Sequence, residues 1–240
     1  MTPTYPDDCV QNLCHDPWWE KTDGQELRRG RLIWAFLPLF DHQQFVLVAT
    51  GREESEQHRS AKYRVEALDV RHPPREAEDL PVAALPSHPG SVKALYMAKR
   101  RPALVLADPG PKVERRLRKG FPSYQTAKTM VVAPYYGADQ DGTRAGWHPD
   151  LIRRIRWGEY PQFICERLPI SGPEESVLRL DQLQPLGCDP KLSDLTEYQL
   201  SQEALGIVDD WLTWHLFGGI PEGSFLADAR SVLLDEGSAL

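Results

Sequence analysis

Two hundred and forty residues suffice for one good hydrophobic core or two small ones, and 41% hydrophobic with 26% charged residues excludes disorder along the whole chain. The net charge of −7 argues against nucleic-acid binding by the entire surface but leaves room for local basic patches. The longest apolar run, Leu32 to Phe40, is too short for a bilayer and contains Pro38, and no secretory leader is visible, so the cytoplasm is the expected location.

Residues 1–29 hold few periodic apolar positions and several turn formers, and read as an N-terminal extension. Cys9, Cys14 and His15 faintly resemble metal ligands, but no second pair stands at finger-like distance, so buried or idle thiols are expected and no metal is assigned. The 21 prolines lean the remainder toward short strands and loops. Leu32 to Phe36 and Phe45 to Ala49 read as strands, with Tyr63 to Val70 as a third. His72 to Gly90, rich in Pro, Ala and acid, reads as an irregular connection.

Further strands are expected at Ala103 to Ala107, at Thr129 to Ala133 and at Val177 to Leu183, with a weaker one at Phe163 to Cys165. Leu151 to Arg156, with Pro149 near its start, predicts a short helix. The spacing of Leu205, Val208, Leu212 and Leu216 predicts a longer one, with Ser201 as N-cap, Glu203 in the first turn and Gly218-Gly219 as the stop. Residues 219–240 read as a C-terminal tail with a turn or two of helix around Leu226 to Leu234. The fold class is therefore mainly β, a small barrel or sandwich with a late helix.

Several of these pieces match a known order. Gly30-Arg31-Leu32-Ile33-Trp34, then Arg101-Pro102-Ala103-Leu104-Val105-Leu106, then Val131-Val132-Ala133-Pro134, then Tyr160-Pro161, and finally Val177-Leu178-Arg179-Leu180-Asp181-Gln182 followed by the helix 201–218 succeed one another. In this order they resemble the PemK/MazF toxin family, over 30–44, 91–136 and 158–218. The resemblance implies an SH3-like β-barrel with a C-terminal helix, spanning 30–218 and enlarged by insertions at about 45–90 and 137–157. It implies a toxin-like endoribonuclease that cuts single-stranded RNA without a metal or other cofactor, acts as a homodimer and is held in check by an antitoxin protein.

By the same likeness Asp181 is the expected base, Arg179 the acid or phosphate stabiliser, and Arg101 a further catalytic arginine. Such chemistry needs a base for the ribose 2′-hydroxyl and cations for the charge that builds on phosphorus. If 177–183 is one strand, residues two apart share a face, and Arg179 and Asp181 then stand side by side. Without the resemblance, an ordinary cross-strand ion pair on a wet face is the better explanation of them. Tyr136 stands where the family carries Thr or Ser, two residues after Pro134, and either stacks on an unpaired base or fills the site. Gln182, Arg100, Arg153 and Arg154 complete the expected RNA contacts; the last two also fit a small helix packed on the barrel. His148 and Trp147 lie in the second insertion, and His148 reads as an ordinary loop histidine. The rival readings are a barrel that binds RNA or protein without turnover, and a gyrase-directed poison.

Overall fold

The computed structural model describes residues 3–40, 42–52, 54, 56, 61–72, 91–140 and 146–237. In chain order the strands are β1 (Trp19–Lys21), β2 (Arg31–Pro38), β3 (Phe45–Gly51), β4 (Lys62–Ala67), β5 (Ala94–Leu95), β6 (Ala98–Ala107), β7 (Thr129–Gly137), β8 (Phe163–Arg167), β9 (Glu175–Arg179), β10 (Gln184–Gly187) and β11 (Ser193–Leu200). The helices are α1 (Arg115–Arg118), α2 (Pro149–Arg156), α3 (Gln202–Phe217) and α4 (Phe225–Gly237). The expected mainly β architecture with late helices is thus present. The connection expected at 72–90 lies, beyond His72, outside the described residues.

The chain divides into two compact units, Met1–Phe36 with Arg100–Leu240, and Leu37–Lys99. The smaller unit is the antiparallel sheet β4-β3-β5. Val46 and Val48 are buried while Phe45 is exposed and Leu47 half-buried, the period-two pattern of a half-covered strand. A backbone hydrogen bond from Leu39 to Met97 (2.8 Å) and an edge-on contact of Phe40 with Tyr96 (5.4 Å) tie the ends of this unit together.

The larger unit carries an antiparallel sheet in the order β1-β11-β2-β6-β7-β9-β8, with β10 also paired to β7. Cross-strand partners share a face. Leu178 has Tyr135 as its partner on one side and Ile164 on the other; all three are buried, and with Leu104, Ala133 and Leu180 they belong to the main core. Helix α3 closes it with Ala204, Ile207, Val208 and Trp211. Ser201 caps that helix by accepting from the Ala204 N–H at 3.2 Å, and Gly218, at φ 81°, ends it in the left-handed conformation that glycine adopts without strain. Glu203 in its first turn accepts the Asp16 N–H at 2.7 Å.

The segments at the two ends are integrated into this core. Strand β1 pairs with β11, and Trp18 and Trp19 are buried. Gln11 Nε2 donates to the Cys165 carbonyl at 2.6 Å. Burial pushes the Cys9 thiol up to about 11 and the Cys14 thiol up to about 12. Helix α4 contributes Leu226, Ala229 and Leu233 to the same core.

One strand departs from expectation. The run Val177 to Leu183 is not continuous: β9 stops at Arg179, a 3₁₀ turn spans Leu180–Gln182, and β10 begins at Gln184. Both strands pair with β7, Leu178 opposite Tyr135 and Gln184 opposite Val132. Six steps along β9–β10 therefore face three along β7, and the surplus is extruded as the turn that bears Asp181.

Candidate functional site

The opposite face of the same strands is only partly covered. Phe163 opposes Arg179, Cys165 opposes Val177, and Tyr136 opposes Val177, so these five side chains share one face. Helix α2 covers the Cys165–Val177 portion with Ile152 and Ile155, in a small second core that includes Ala138. The remainder, Phe163, Arg179 and Tyr136, is half-buried. Strand β6 adds a further residue to it. Ala103 pairs with Pro134, and continuing that register by two residues sets Arg101 opposite Tyr136. Its guanidinium lies over the Tyr136 ring, 3.9 Å from the centroid.

Arg179 approaches the same ring at 5.4 Å and donates through Nε and Nη2 to both carboxylate oxygens of Asp181, at 2.7 and 2.6 Å. This is the bidentate fork that suits guanidinium to carboxylate or phosphate. The side chains are 20% and 33% exposed, so the pair meets solvent and can exchange partners. Asp181 reaches Arg179 from the extruded turn rather than by strand alternation, which corrects the expected cause of their proximity. The Tyr136 hydroxyl donates to Gln182 Oε1 at 2.5 Å. Arg101, Tyr136, Arg179, Asp181 and Gln182 are thus gathered from β6, β7, β9 and the turn after it.

The other expected RNA contacts are placed differently. Arg100, next to Arg101 on a strand, points to the other face; it stacks over Trp34 at 4.7 Å and pairs with Asp194 at 3.0 Å. Arg153 lies over Trp157 at 5.5 Å and pairs with Asp150 at 2.8 Å, away from the cluster. Arg154 pairs with Glu159 at 2.6 Å and lies over Tyr160 at 5.3 Å, at the margin of the cluster. His148 is the N-cap of α2, its Nδ1 accepting the Asp150 N–H at 3.2 Å.

Two groups carry no recognisable sequence signal. Phe163 and Trp147 lie 5.1 and 5.9 Å from the Arg179 guanidinium and extend the aromatic surface. Glu166, on the core face of β8, is fully buried, accepting from Trp18 Nε1 at 3.0 Å and from the Tyr135 hydroxyl at 2.9 Å. Burial raises its carboxyl to about 8, and the two hydrogen bonds only partly offset that rise. Among the described residues no three of His, Cys, Asp and Glu come together as a metal would require, and no helix is long and apolar enough to cross a membrane. No family model matches the chain, and a search of curated proteins finds no match.

Proposed function

We propose that this protein is a metal-independent endoribonuclease of single-stranded RNA, built on an SH3-like barrel of the PemK/MazF type. The observation that carries this reading is the convergence at one partly open sheet face of Arg101, Tyr136 and Arg179, from strands far apart in sequence, with Asp181 from the turn after β9. The ordered motifs of the chain and its antiparallel sheet closed by α3 support the barrel type.

A scissile phosphate entering beside Tyr136 takes over part of the fork that Arg179 now gives to Asp181, and Arg101 faces it from across the ring. Asp181, released toward solvent, takes the proton of the ribose 2′-hydroxyl. The 2′-oxygen attacks phosphorus, the bond to the 5′-oxygen breaks, and that oxygen leaves by taking a proton from a water at the half-open site. The two guanidiniums stabilise the extra negative charge during the attack. The products are a 2′,3′-cyclic phosphate and a 5′-hydroxyl.

The test is cleavage of end-labelled single-stranded RNA by the purified chain in EDTA. Wild type cuts, while Asp181→Asn loses at least about 100-fold, the scale of removing a positioned general base. Equal cutting by the two proteins removes Asp181 from the mechanism. A second reading, RNA binding without turnover, draws on the closed Arg179–Asp181 fork and on Tyr136 engaged with Gln182. In that case both proteins bind RNA and neither cuts it.

A further inference from the structure

Resting on that reading, we infer that Trp147, Phe163 and Tyr160 form a stacking subsite for an unpaired base next to the scissile phosphate. Trp147 precedes α2 in the insertion at about 137–157, which the motif order does not account for, while Tyr160 precedes β8 and Phe163 opens it.

The rings are continuous with the cluster. Arg179 is 5.1 Å from Phe163 and 5.9 Å from Trp147; Trp147 meets Phe163 edge-on at 5.3 Å; Tyr160 follows at 6.3 Å, and Arg154 lies over Tyr160 at 5.3 Å. Cations and rings are therefore interleaved, with Tyr136 between Arg101 and Arg179 and the Phe163–Tyr160 pair between Arg179 and Arg154. Such interleaving fits a strand whose charged backbone and flat bases recur together.

The rings are also fixed and half open. Trp147, Tyr160 and Phe163 rest on the small core of Ile152, Ile155, Cys165 and Val177, yet each stays partly exposed. The Trp147 N–H donates to the Ala138 carbonyl at 2.8 Å, and the Tyr160 carbonyl accepts from Trp211 Nε1 at 3.4 Å, which pins both backbones. A ring packed on one side and open on the other is a platform for a flat ligand, with little ordering cost on binding. Arg179 directs its donor fork to Asp181 while its guanidinium lies within about 6 Å of the Tyr136, Trp147 and Phe163 rings, the range of cation–π attraction. The Arg154–Glu159 pair is a surface ion pair, weak enough for a phosphate to replace the carboxylate. Duplex RNA keeps its bases stacked on one another and leaves none for these rings.

The test uses a single-stranded RNA oligomer with a 2′-O-methyl group on every ribose, which lacks the attacking hydroxyl and so binds without being cut. Its affinity is measured by anisotropy for wild type, Trp147→Leu, Tyr160→Leu and Trp147→Phe, with melting curves as a check on folding. Either leucine variant that melts like wild type binds about 5- to 100-fold more weakly, and Trp147→Phe stays within about threefold of wild type. An abasic site at one position of the oligomer abolishes the difference between wild type and Trp147→Leu. Equal affinities of wild type and both leucine variants, or a loss that survives abasic substitution at every position, overturn the subsite. A wild type that binds through Trp147 and cuts no cleavable RNA sinks the nuclease reading and leaves the stacking subsite standing.

Discussion

Arg179 and Asp181 hold each other through two hydrogen bonds at 20% and 33% exposure, where such a pair adds little to stability because water competes for both groups. Arg179→Lys separates charge from geometry. Lysine keeps the positive charge but not the planar fork, so cleavage falls about 10- to 100-fold with unchanged melting; a variant as active as wild type shows that charge alone suffices. Glu166 has the opposite energetics, being fully buried. In the folded protein it keeps its proton to about pH 8, whereas an unfolded glutamate loses it near 4.5. The native state thus binds more protons in that window, and stability falls as pH rises from 4.5 toward 8. Glu166→Gln, whose amide accepts from Trp18 and donates to the Tyr135 oxygen, flattens that slope. Its advantage over wild type grows with pH, up to on the order of a few kcal/mol in urea titrations. Parallel pH profiles of the two proteins contradict the burial argument.

At the scale of elements, periodicity made some pieces legible and left others hidden. Helix α3 was readable from Ser201 to Gly218 because cap and stop act within a few residues, but of the expected stripe only Val208 is buried and Leu216 is exposed, the buried face being Ala204, Ile207, Val208 and Trp211. Replacing Ser201 by Ala removes the bond to the Ala204 N–H and costs about 1 kcal/mol, read as a lowered urea midpoint with unchanged slope; an unchanged midpoint shows that the cap is not needed. The turn at 180–182 was hidden because apolar Leu178, Leu180 and Leu183 mimic strand alternation, and only the pairing with β7 exposes the three surplus residues. The ionic pair at 179 and 181 was still legible, through a different geometry. Phe163 and Trp147 were not, since an aromatic residue in a short apolar run, as Phe163, reads as core until its partners are known, and Trp147 stands in an insertion without periodicity. Glu166 was equally silent: its partners lie 148 and 31 residues away.

For the molecule as a whole, the net charge of −7 and the few cations of the cluster make electrostatics local. Arg101, Arg179 and Arg154 are the guanidiniums along the proposed track, and single-strand binding through three phosphates gives a slope near −2 in log affinity against log salt. A slope steeper than about −5 instead brings in other basic surface, such as Arg115, Arg116, Arg118 and Lys119 around α1.

The central claim, that the sheet face of Arg101, Tyr136, Arg179 and Asp181 drives attack by the substrate's own ribose, is tested most directly by the chemistry of the cut ends. An RNA cleaved in EDTA is predicted to yield a 2′,3′-cyclic phosphate and a 5′-hydroxyl, and a single 2′-deoxy substitution at the scissile nucleotide to abolish the cut. A 5′-phosphate product, or cleavage that survives the 2′-deoxy substitution, contradicts it.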